Sequence, residues 1–109
     1  MIVHIILFQP RESLTADDRA RVLEDLKRAA STIPSVRRFR IGRRVTHGVP
    51  GYERMMLDDY SFAAIIEFDD KTGLVEYLRH PSHQAIGADF TIAAQHGLAY
   101  DYDMDDVRP

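Results

Sequence analysis

The chain has 109 residues, 45% of them hydrophobic and 28% charged, the balance of one globular domain with a packed core, which excludes a disordered or fibrous chain. A net charge of −3 lacks the electrostatic footprint that a phosphate backbone demands, and the absence of cysteine excludes disulfides, thiolate metal sites and a thiol nucleophile. A single domain over 1–109 in a reducing, cytoplasmic setting is expected, with no nucleic acid and no membrane among its partners.

Residues Ile2 to Phe8 are rich in Ile and Val and are bounded by Pro10, which predicts a strand. Its two faces, Ile2, His4, Ile6, Phe8 and Val3, Ile5, Leu7, are both apolar. The segment has no basic leader and is short, so neither a signal peptide nor a membrane span is expected.

Thr15 is placed to cap a helix with Asp17 and Asp18 in its first turn, and Val22, Leu23, Leu26, Ala29, Ala30 and Ile33 follow at helical spacing until Pro34. From Val36 to Val45, Phe39 and Ile41 alternate with Arg38 and Arg40, the period of a strand at a sheet edge. Gly48, Pro50 and Gly51 then break the chain, and Tyr52 to Asp59 has room for a single helical turn. A third strand is expected over Tyr60 to Phe68, again apolar on both faces through Phe62, Ala64, Ile66 and Ala63, Ile65.

Asp69 and Asp70 precede a short helix carrying Leu74, Val75 and Leu78, and Pro81 fits the first turn of another that carries Ile86, Phe90, Ala93 and Ala94 until Gly97. Leu98 to Met104 alternates as a last strand before a short charged tail that ends at Pro109, which puts the folded core at about 2–104. The order βαββαβ predicts an α+β, ferredoxin-like domain with helices on one face of a four-stranded antiparallel sheet. Because the first and third strands are apolar on both sides and no further helix remains, the second face should bury against another copy, two sheets closing face to face as a homodimer. The long connection from Thr46 to Asp59 invites a functional role.

Several of these segments have a family likeness: Met1 to Phe8, Ile33-Pro34-Ser35-Val36, Gly42-Arg43, Phe68-Asp69-Asp70, the run Tyr77-Leu78-Arg79-His80-Pro81-Ser82-His83, and Tyr100-Asp101-Tyr102. Together they resemble the stress-responsive A/B barrel (Dabb) family, from the first residue to about Tyr102. The most specific element is Tyr-x-x-His-Pro-x-His after the third strand, combined with an early histidine in the first. The resemblance implies a dimeric α/β barrel. It also implies small-molecule binding without a cofactor, because a few members resemble polyketide cyclases that use a histidine pair. The Thr46 to Asp59 stretch, with Arg54, Met55 and Met56, is longer than the family's usual connection.

His4 shares a face with Ile6 and Phe8, so it is either a buried histidine satisfied by a neighbour or a base inside a cleft. His83 begins the last helix, where the positive end of the helix dipole would keep its imidazole neutral, although a surface or capping histidine is the plain alternative. Under the resemblance, His4 and His83 match the histidine pair of the cyclase-like members. Tyr77 could donate to a carbonyl or pack as an ordinary helix tyrosine. His80, just before Pro81, suits a turn or cap better than catalysis. A metal held by His80 and His83 with Asp69, Asp70 or Asp89 is disfavoured, since His-x-x-His in such a turn is not a metal motif.

The expected catalytic set is therefore His4, Tyr77 and His83, with no cofactor and no metal. The ligand would be a polyketide-like or aromatic carbonyl compound and the reaction a cyclisation or isomerisation. The competing reading is a stress-related homodimer that binds or assembles without reaction. The basic run Arg37, Arg38, Arg40, Arg43, Arg44 and the acidic run Asp101, Asp103, Asp105, Asp106 lie on what should be opposite edge strands. Pairing of these runs across a dimer seam is expected, with a plainly solvated edge as the alternative.

Overall fold

In a computed structural model that describes residues 1–108, with the tail's last residue, Pro109, outside them, eight elements follow one another. They are β1 (Ile2–Pro10), α1 (Ala16–Thr32), β2 (Arg38–Arg43), α2 (Tyr52–Met55), β3 (Phe62–Phe68), α3 (Lys71–Arg79), α4 (Pro81–Ala93) and β4 (Ala94–Asp103). The strands form one antiparallel sheet in the order β2-β3-β1-β4, so the two most apolar strands are central and the charged ones are edges.

The register separates the faces. His4 stands between Ile66 of β3 and Asp101 of β4, and Ile6 between Ala64 and Ala99. On this face Ala64, Ile66 and Phe68 pack with Ala29 and Ile33 of α1, Leu74 and Tyr77 of α3 and Ile86 of α4. The opposite face presents Val3, Ile5 and Leu7 beside Tyr102, Tyr100 and Leu98, flanked by Ala63 and Ile65, with none of the core helices over it. The α+β, ferredoxin-like sheet expected from the βαββαβ order is thus present.

Local chemistry explains the helix ends. Thr15 and Asp18 form a reciprocal capping box at α1, and Asp70 accepts from the Gly73 N–H at the start of α3. The Thr15 contacts also hold the Asp18 carboxyl below its usual range. His80 ends α3 and caps α4, its Nδ1 accepting from the Ser82 N–H while Pro81 fills the first helical position.

Three boundaries differ from expectation. β2 is shorter than Val36 to Val45, and β3 begins at Phe62 because Gln9 Oε1 takes both the Ser61 N–H and hydroxyl, leaving Tyr60 to pack edge-on against His96. β4 starts at Ala94, directly from α4, so Gly97 does not end the helix. It lies inside the strand beneath Phe90, where an added Cβ would sit 2.2 Å from the ring's Cζ.

Candidate functional site

β1, α3 and α4 bring His4, Tyr77 and His83 together. The Tyr77 ring lies 5.8 Å from His4 and 4.7 Å from His83, centroid to centroid, and 5.2 Å from Phe68. Tyr77 has no exposed surface and His4 only 5%, so these two are buried between sheet and helices, with the half-buried His83 beside them.

Each histidine has one ring nitrogen committed. The Nδ1–H of His83 donates to the Leu78 carbonyl at 3.1 Å, which is possible only if that nitrogen carries the proton, leaving Nε2 of the neutral ring as an acceptor. Asp101 Oδ1 contacts His4 Nδ1 at 2.5 Å, and the carboxylate fixes the same tautomer there.

Burial is the main reason the His83 imidazole is held below its ordinary value. The nearby His4 adds to this, and the bond to Leu78 opposes it in part. The helix dipole invoked from sequence is not the main cause. Burial also pushes the Tyr77 phenol up to about 12, so it stays a donor through the physiological range. Its hydroxyl is buried and, among the described residues, has no hydrogen-bond partner.

A cavity of about 350 Å³ opens between the sheet and α1 and α4. It was expected beside the histidines, yet His4, Tyr77 and His83 do not line it. Its walls include Ile6, two residues beyond His4 on the same face of β1, and Ile86, one turn beyond His83 on α4. The trio thus lies one side-chain layer, about 7 Å along the strand, past the cavity's inner end. Among the described residues α1 packs mainly on α4 and only weakly on the sheet, which leaves this space under α1.

The comparisons with known proteins fit this architecture. The family model described as the stress responsive A/B barrel domain matches residues 2–104. The chain belongs to the Dabb family. No curated protein matches the sequence. Among solved structures, a Dabb family protein with a ferredoxin-like fold from Mesorhizobium loti is 25% identical, with a TM-score of 0.72 over 96% of this chain and 97% of that one. A dimeric ferredoxin-like protein of unknown function from Thermobifida fusca is 24% identical, at a TM-score of 0.72 over 94% and 90% of the two chains. A hydroxynitrile lyase from Passiflora edulis, 14% identical, superposes at 0.81 over 99% and 96%.

In this Dabb domain the remaining candidates have other tasks. His80 is a cap, as its place before Pro81 suggested. Asp69 pairs with Arg37 at 2.7 Å, and among the described residues no three His, Asp or Glu side chains converge as a metal-ligand set. Several charges of the expected arginine–aspartate seam already have partners within the chain. Asp101 faces His4, and Asp103, on the same face, lies 3.7 Å from the terminal amine of Met1. Arg38 and Arg40 stand on the opposite face, each 4.0 Å from Glu67.

Asp101 is the neighbour of His4 that sequence reasoning did not assign to the site. The alternation of the last strand put it opposite Tyr100 and Tyr102, but only the β1–β4 register sets it against His4.

Proposed function

We propose that this Dabb domain is a homodimeric small-molecule-binding protein whose His4, Tyr77 and His83 run proton transfer beside a carbonyl. It would act as a cofactor-free cyclase or isomerase on a polyketide-like or aromatic carbonyl compound. The observation that carries this reading is the buried Tyr77 hydroxyl, without a hydrogen-bond partner among the described residues, on a ring packed against two histidines whose Nδ1 atoms are already committed.

The roles follow from the chemistry of each group. His83, neutral near pH 7, takes the proton from the carbon next to the carbonyl onto Nε2. The electron pair moves to the carbonyl oxygen, and the enolate accepts a hydrogen bond from Tyr77, which remains protonated. His83, now an imidazolium, returns that proton to a different carbon, or gives it to the alkoxide formed when the enolate carbon attacks a second carbonyl and closes a ring. His4, its Nδ1 committed to Asp101, keeps Nε2 as an acceptor. The described dimer from Thermobifida fusca and the lyase from Passiflora edulis support the assembly and the small-molecule chemistry respectively.

A reaction-free homodimer is favoured by one observation, the complete burial of Tyr77 behind the cavity wall. The two readings part in deuterated buffer with 2-tetralone as probe, following exchange at the carbon next to the carbonyl by NMR. Catalysed exchange should fall by about 10²-fold or more in His83→Ala and in Tyr77→Phe. Exchange no faster than in buffer, or equal in wild type and His83→Ala, rejects the catalytic reading.

A further inference from the structure

The cavity walls are almost wholly apolar, with Phe8, Leu23, Ile41 and Phe62 among them, and three charged side chains break the pattern: Arg19, Arg43 and Asp89. They are not equivalent. Asp89 is buried on α4, where Oδ1 lies 3.5 Å from Arg21 Nε, so its charge is engaged between the helices. Arg19 on α1 and Arg43 at the end of β2 are exposed, and among the described residues neither has a carboxylate within 4.0 Å.

Their neighbours make the contrast plain. Arg21, two residues from Arg19, is held by Asp18 and Asp89, and Arg44, next to Arg43, is held by Asp59. Of these four arginines, the two at the cavity are the ones without a carboxylate within 4.0 Å.

We propose that the cavity binds an amphipathic carboxylate, with the apolar body inside and the carboxylate at the rim between Arg19 and Arg43. Two guanidiniums can each give a carboxylate paired N–H donors, which an alcohol cannot use and an ammonium would be repelled by. The volume, about 350 Å³, lies in the range of ordinary ligand pockets and is more than twice the roughly 150 Å³ that encloses one benzene, so a body of about two rings fits. A ligand entering at the rim would reach Ile6 and Ile86, one side-chain layer short of the histidines. The inference rests on the reading of this cavity as the ligand site and adds the class of ligand: an oxo-acid with its carbonyl at the far end.

The test uses three probes of one shape, 2-naphthoate, 2-naphthylmethanol and 2-naphthylmethylamine, titrated into the full chain at low salt by calorimetry. The acid should bind at least about tenfold more tightly than the alcohol, and the amine most weakly. The double variant Arg19→Met/Arg43→Met should bring the acid down to the affinity of the alcohol and leave the alcohol unchanged. Arg37→Met/Lys71→Met, an equal loss of two charges elsewhere on the surface, should leave the preference intact. An alcohol as tight as the acid, or a preference that survives the double variant, overturns the carboxylate assignment but spares the cavity as a ligand site. Failure of all three probes overturns both.

Discussion

Asp89 is the side chain whose protonation the fold controls most directly. Burial pushes its carboxyl up to about 6, a hydrogen bond and repulsion from Asp25 act the same way, and Arg21 opposes them. Its Oδ2 is buried with no hydrogen-bond partner among the described residues, so burial favours the protonated form. Between the ordinary 3.8 and about 6 the folded chain binds more protons than the unfolded one, so stability should fall as pH rises through that window and stay low above it. Asp89→Asn supplies the donor at every pH, and should abolish this slope in urea unfolding and raise stability at pH 7 by about 1–3 kcal/mol. His83 has the opposite sign. Its folded value lies below the ordinary 6.5, so the stability of its neutral form is complete above 6.5 and is lost as pH falls toward the folded value. At this scale the sequence pointed to His4, Tyr77 and His83 through the family resemblance, since each of the three taken alone also has a plain structural reading. Asp101 and Asp89 were not legible as partners of His4 and Asp25, since a carboxylate in a strand or helix looks like any solvated charge until register and helix packing are known.

The elements themselves were mostly written in local pattern. The capping box at Thr15, the break at His80-Pro81 and the two-faced central strands each follow from chemistry within a few residues, and each is present. What local pattern could not give is an ending imposed from across the molecule, as where Gln9 captures Ser61 and delays β3. Gly97 is the clearest case. As a helix stop it would tolerate alanine, but beneath the Phe90 ring it cannot, because the new Cβ would meet Cζ at 2.2 Å. Phe90 also packs on Phe8 at 5.3 Å between centroids and lines the cavity, so the ring has only that space to move into. Gly97→Ala should therefore cost about 1–3 kcal/mol by overpacking and also weaken binding of a two-ring ligand severalfold. Thermal unfolding measures the first effect and calorimetry with 2-naphthoate the second. A variant that loses stability and keeps full binding would show that Phe90 moves elsewhere.

At the scale of the whole molecule, one face of the sheet is committed to helices and the other is not. Ile5 and Ile65 stand at the centre of the open face, and Tyr100 and Tyr102 on β4 remain 56% and 50% exposed beside it. Isolated apolar side chains on a surface need no explanation, but a continuous apolar face across three strands is the mark of an association surface. A second copy is the partner that the ferredoxin-like architecture supplies, because the same face on both chains is self-complementary about a twofold axis. Stable pairing needs about 800 Å² from each partner, within reach of a four-stranded sheet face. Wild-type chain should thus sediment as a dimer at micromolar concentration. Ile5→Asp and Tyr100→Asp, each placing a charge in the dry centre or on its flank, should shift it to monomer with the circular dichroism of a folded domain. Ile92→Asp is the control: that side chain is 58% exposed on α4, on the helical side of the sheet, and the dimer should be unaffected. A wild-type monomer at that concentration would mean that the open face is stable in water. The closed two-sheet barrel would then be lost, while the cavity and the histidine centre, built within one chain, would stand.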